Sequence, residues 1–184
     1  MVNVVRNGRR AIATLSFLLF FNVCLEAQHT AVRTNVLGWL TASPNIEAEF
    51  VLDSHFSLNM GVAANPLSTD KLKTTFTHFQ PEVRYWINRP MVSHFVGVTA
   101  FVNSFDMMVK DVCHKGDAYA AGITYGYAWV LSKHWNIEAT AGIGVLRYRQ
   151  FKYDKDTPKP SAVNDRKNMI APVKLGVSFV YVIR

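Results

Sequence analysis

The chain has 184 residues and a formal net charge of +7, with 20 lysines and arginines against 13 aspartates and glutamates. That length suits one domain. The positive charge is mild and forms no Lys/Arg stripe on one element, which excludes a nucleic-acid partner and suits contact with anionic lipid head groups. Two cysteines, Cys24 and Cys113, without zinc-type Cys/His spacing, give no metal site or cofactor to expect.

The N-terminus reads as an export signal. Arg6, Arg9 and Arg10 form a positive region, and Ala11–Phe21 an apolar one. Leu25-Glu26-Ala27 places a small residue before a cut at Gln28, so residues 1–27 are expected to be a signal peptide and residues 28–184 the domain. The apolar run is too short for a spanning helix, which needs roughly 20 residues. Lipidation at Cys24 is the alternative, but Phe21-Asn22-Val23 lacks the small residue that such cleavage prefers. Residues 1–27 carry Arg6, Arg9, Arg10 and Glu26, a net +2, so +5 remains after the cut. Cys113 then has no internal partner.

The rest alternates apolar and polar residues with the period of two that marks β-strands. Strand one covers about Ala31–Trp39, with Val32, Thr34, Val36 and Gly38 against Arg33, Asn35 and Leu37. Thr41-Ala42-Ser43-Pro44 breaks it. Strand two, Asn45–Leu52, sets Ile46, Ala48, Phe50 and Leu52 against Asn45, Glu47 and Glu49. Strand three, Phe56–Ala64, follows a short turn, and a polar loop over Asn65–Thr75 follows that. Strand four, Phe76–Ile87, opposes Phe79, Pro81, Val83 and Tyr85 to Gln80, Glu82, Arg84 and Trp86. Pro81 cannot donate to a ladder, which predicts a bulge or bend there.

Strand five, about Ser93–Ser104, is apolar on both sides and leaves its register open. A loop over Phe105–Asp117 leads to the clearest hairpin, Tyr119–Leu131 and Trp135–Arg149, turning at Ser132-Lys133-His134. Gln150–Lys167 is the longest loop. Strand eight, about Met169–Ile183, alternates Val173, Leu175, Val177, Phe179 and Tyr181 with Lys174, Gly176, Ser178 and Val180. Connections after strands two, four and six are short, and those after three, five and seven longer. An even strand number with long loops at one end is the layout of an eight-stranded antiparallel up-and-down transmembrane β-barrel. Apolar faces would meet lipid, and the charges Arg33, Glu47, Glu49, Glu82, Arg84, Glu138 and Lys174 would meet in the lumen. Trp39, Tyr85, Trp129, Trp135, Tyr148 and Tyr181 stand at strand ends, where head-group-level aromatics belong.

Several stretches carry a resemblance. TNVLGW (34–39), SPNIEAEF (43–50), QPEVRYWI (80–87), AGITYGYAWVLSKHWNIEATAGIGVLRYRQFKYDK (121–155) and PVKLGVSFVYVI (172–183) resemble a family of small exported β-barrel proteins of unknown function from Bacteroides-type bacteria. The resemblance implies outer-membrane location and an eight-stranded barrel, with no assigned activity. It also implies a link to surface assembly, since members are often encoded near fimbria-like surface proteins. Many members carry a close cysteine pair in the last long loop. This chain has Lys155-Asp156-Thr157-Pro158 there, so no role of that pair carries over.

Four groups of residues could carry chemistry. In a barrel this narrow, side chains fill the lumen, so the seven lumen charges read first as a salt-bridged plug and second as a narrow ion or proton path. His78, His94 and His114 with Ser68, Ser93 or Ser104 could supply the base and nucleophile of a lipid A-modifying enzyme, but no spacing selects one set. Cys113 beside His114 lies between Lys110 and Lys115, and reads as incidental. Tyr148, Phe151 and Tyr153 with Arg147, Arg149 and Lys152 read as an interfacial anchor, or as a partner- or polysaccharide-binding loop. The expected object is a monomeric outer-membrane barrel without catalytic residues. Its partners are membrane lipid or lipopolysaccharide, together with surface or fimbria-like proteins. A lipid A deacylase or acyltransferase and a narrow small-solute channel are the alternatives.

Overall fold

The computed structural model describes residues 30–68, 73–109, 111–154, 157–158 and 160–183. The segment read as a signal peptide, with Cys24, lies outside them, as do Lys110, Lys155, Asp156 and Arg184. The described chain is all-β apart from one short helix. Its strands are β1 (Thr30–Asn35), β2 (Asn45–Val51), β3 (Phe56–Ser68), β4 (Lys73–Trp86), β5 (Ser93–Val109), β6 (Val112–Val130), β7 (Trp135–Asp154) and β8 (Asp165–Ile183). Each pairs antiparallel with the next, and β8 returns to β1 to close the barrel.

Alternation sorts side chains between the two faces of this wall. On β6, Ala120, Thr124 and Ala128 are buried while Ile123, Tyr125 and Trp129 are exposed. The large aliphatics point outward: Ile123 is 65% exposed, Val98 66% and Leu175 66%. Among the largest fully buried side chains are Arg33, Glu49, Glu82, Arg84 and Glu138. β5 resolves the same way, with Phe95, Gly97 and Thr99 inside and Val96, Val98 and Ala100 outside.

Four expectations need correction. Strand one stops at Asn35, and helix α1 (Val36–Leu40) follows. The Asn35 side chain accepts from the Leu37 N–H at 3.1 Å and so caps the helix. The Asn45 amide then bonds both the N–H and the C=O of Asn35, at 2.6 and 3.0 Å, replacing a partner strand. A Cβ at Gly38 would stand 2.9 Å from the Ser43 backbone oxygen and would push aside the Asn45 amide that bonds Asn35, which favours glycine there. Alternation alone could not reveal this, because V-L-G-W fits both periods.

Pro81 makes no bulge. The β4–β5 register is the same on both sides of it, Phe79 with Val102 and Glu82 with Thr99. The ladder only skips a step there, and Thr99 Oγ1 donates to Pro81 O at 3.0 Å. The register shift falls instead on β8, opposite Gly142/Ile143. There Val173 turns inward and is buried, against its expected outward place with Leu175. The longer loops after strands three and five are also largely strand, and the one after strand seven is so in part. β3 and β4 pair out to Ser68 and Lys73, β5 and β6 to Val109 and Val112, and β7 and β8 to Gln150 and Asp165.

Because β1 and β2 are short, the wall has a notch. Asn35 pairs with Ser178, but β8 continues back to Asp165; Asn45 pairs with Ala63, but β3 continues to Ser68. A strand edge freed this way exposes backbone groups that need partners. Two side chains supply them: Asn35 Nδ2 donates to Leu175 O and Gln80 Nε2 to Val173 O, each at 3.1 Å. Asn35→Ala removes a helix cap and a carbonyl partner together. It is expected to cost about 1–2 kcal/mol, read as a lower urea midpoint at unchanged slope.

Candidate functional site

The lumen is layered. At the short-turn end an apolar plug of Trp86, Phe95 and Ala128 lies beside a second cluster of Ala31, Met91, Val180 and Val182. Met91 enters from the β4–β5 turn, where Asn136 Nδ2 donates to its carbonyl at 2.8 Å. The plug owes its fit to Gly126, because a Cβ there would meet the Phe95 ring at 2.3 Å.

Above the plug lies the charge layer. The structure brings all seven charges named from the sequence into one network. Arg33 bonds Glu49 and Glu138. Arg84 reaches Glu82 at 2.7 Å, Glu138 at 3.1 Å and Glu49 at 3.2 Å. Lys174 stands 3.0 Å from both Glu47 and Glu82. The inward bulge at Val173 and Lys174 delivers that ammonium. Three cations thus face four carboxylates, and neutral donors meet part of the excess acceptor capacity. Ser57 bonds Glu49, Asn59 Nδ2 donates to Glu47, and Thr124 and Thr140 donate to Glu82 and Glu138. Trp86 Nε1 donates to Ser57 Oγ at 2.9 Å, which ties the plug to the charges. The Arg84 guanidinium lies over the Phe95 ring, 4.4 Å from its centroid. Polar side chains from seven of the eight strands converge here, and Phe95 of β5 adds its ring.

Among the described side chains, the three candidate histidines hydrogen-bond groups other than serine. His78 bonds Gln80, His94 bonds Tyr125, His114 bonds Gln150, and Ser104 donates to Asp117. Cys113 pairs across from Met108, and His114 across from Met107, so adjacent side chains alternate between faces. The aromatics also divide. Tyr85, Trp129, Trp135 and Tyr181 stand outward near the short-turn rim. Trp39 is exposed on α1 rather than at a strand end. Tyr148 shares the inward parity of Gln150, which takes it out of an outer girdle. The basic–aromatic cluster splits with it: Arg147 and Arg149 lie outside, and Arg149 packs on Tyr119.

Sequence reading missed a rim feature. Each of the three short turns carries a histidine stacked on a tyrosine: His55 on Tyr85, His94 on Tyr125 and His134 on Tyr181. The signal was present as a histidine in or just after each turn, but the cross-strand register was needed to find the partners.

Residues 13–183 match a family described as a protein of unknown function (DUF3575). None of the curated proteins compared matches the chain.

Proposed function

We propose a role for this chain, which belongs to the DUF3575 family, from its geometry, since the family's description names no activity. It is a monomeric, exported outer-membrane β-barrel with a sealed lumen and a non-enzymatic, structural or surface-interaction role. The observation that carries this reading is the inversion of the wall. Ionised side chains are buried within, while a continuous apolar band faces out. A soluble barrel of this size points its apolar face inward.

The band has the right height. On β6 it runs from Trp129 to Tyr119, and on β7 from Trp135 to Val145. Each is about ten residues, the length a tilted strand needs to cross a bilayer. Polar side chains begin beyond it on adjacent strands, at Ser104, Asp117, Arg147 and Asn168. No helix among the described residues is long and apolar enough to cross a membrane. β5 to β8 continue past the band as paired hairpins. Those walls are the surface offered to a partner, such as the fimbria-like proteins the sequence resemblance suggests.

The test is fractionation with heat-modifiable gel mobility. The protein should sediment with the outer membrane and run faster unboiled than boiled. Identical mobility together with recovery in the soluble periplasm overturns the reading. The same preparation in a planar bilayer should give no discrete current steps. The enzyme alternative predicts altered lipid A masses on deletion; the sealed barrel predicts none.

A further inference from the structure

Above the charge layer, at the notch over β1 and β2, the lumen opens into a cavity of about 530 Å³. That lies within the range of small-molecule sites, roughly 300–1,000 Å³. Thr74 and His78 of β4 and Asn103 of β5 line it, with Glu47 and Lys174 among its lining. Outside the wall a second cavity of about 710 Å³ is lined by apolar side chains, including Val32, Ile46, Phe179 and Trp39. The two share Asn45, Val62 and Ala63, so they meet at the edge of the notch. Helix α1 lies between them, with Leu37 in the inner cavity and Trp39 in the outer.

The geometry points to a binding site for one neutral, single-chain amphiphile with a hydroxyl-bearing head. The head occupies the inner cavity, and the chain passes over the notch into the outer groove. The inference rests on the membrane reading above, because lipid is what reaches that groove.

The head class follows from which groups already have partners. Lys174 is held at 3.0 Å by two carboxylates, so its charge is already compensated when an anionic head arrives. The cavity's one buried polar atom without a hydrogen-bond partner, among the described residues, is an acceptor, Asn103 Oδ1. Gln80 Nε2 donates to Thr99 Oγ1 and Val173 O, which turns its Oε1 toward His78 Nε2 at 3.3 Å. Nε2 therefore carries a proton, which leaves Nδ1 as the acceptor in the uncharged ring. Acceptors lining a cavity call for donors, which a glycerol or sugar head supplies and a carboxylate head lacks. The outer groove, nearly free of polar atoms, takes the chain.

The test uses the full chain in amine-oxide micelles, titrated with a monoacylglycerol brominated on its chain. Trp39 and Trp135 border the outer groove, and bromine quenches tryptophan on contact. Quenching should saturate, with half-saturation about tenfold below that of the matching brominated fatty acid. Asn103→Leu should raise the half-saturation for the glyceride about tenfold, and Trp39→Phe should remove much of the saturable signal. Linear quenching, equal affinity for acid and glyceride, or an unchanged Asn103→Leu titration overturns the site. Gel mobility of the same samples separates the two readings. A heat shift without saturable quenching removes the site alone, and no heat shift removes both.

Discussion

Arg84→Met should destabilise the folded barrel by about 3–5 kcal/mol, the cost of breaking a buried ion pair from one side. Arg84 touches Glu49, Glu82 and Glu138 and is fully buried with two of them. Methionine fills much of its volume but leaves four carboxylates facing two cations in a space only wide enough for side chains. Most of the cost is the unpaired charge, which a second substitution tests. Arg84→Met with Glu138→Gln should recover part of the loss, and Arg84→Lys should fall between, because an ammonium cannot reach three carboxylates as a guanidinium fork does. Urea midpoints, followed by the shift from fast to slow gel mobility, give the values. A loss under about 1 kcal/mol would mean that water enters this layer and that the lumen is not sealed.

Ile123→Arg is the second large effect, and it distinguishes a membrane wall from a soluble one. Ile123 lies on the outer face, midway along the apolar band of β6, opposite Val98 and Ile143. Arginine at the bilayer midplane costs a transmembrane barrel roughly 2–4 kcal/mol. The same change on a water-exposed strand stays within about 0.5 kcal/mol. Lys152, exposed near the far rim of β7, provides the control. Lys152→Arg should leave the midpoint where it is. If Ile123→Arg does the same in lipid vesicles, the outer face does not meet acyl chains.

Much of this architecture was legible because a strand's side-chain period is fixed by covalent geometry. The hairpin from Tyr119 to Arg149 shows it: the Ser132–His134 turn and the two faces could be read without coordinates. Glu82 and Arg84, two residues apart on the strand, had to share a face, and so did Glu47 with Glu49. Nothing local, however, states which carboxylate an arginine reaches. Arg33 and Glu138 lie 105 residues apart and meet only because β8, between their strands, closes the ring.

The misreadings came where tertiary pairing overrode a local rule. V-L-G-W alternates acceptably, yet it forms α1 because Asn45, ten residues on, supplies the hydrogen bonds a partner strand would have made. Pro81 was expected to distort the ladder, but a threonine on β5 satisfies the carbonyl beside the skipped step. The real irregularity sits at Val173, beside another strand proline, Pro172, and the inward turn serves the charge layer. Polar stretches such as those after β3 and β5 look like loops locally, yet pairing across the hairpin holds much of each as strand.

The order of residues alone makes this an all-β chain of eight strands, with one apolar and one polar face along most of them. Backbone geometry makes that alternation unavoidable once the strands form. The assembled fold adds that the polar faces close on each other around Arg84, and that two short strands leave a notch beside that layer. Those features depend on strand register and on where each pairing stops, and both are properties of neighbours brought together from distant parts of the chain.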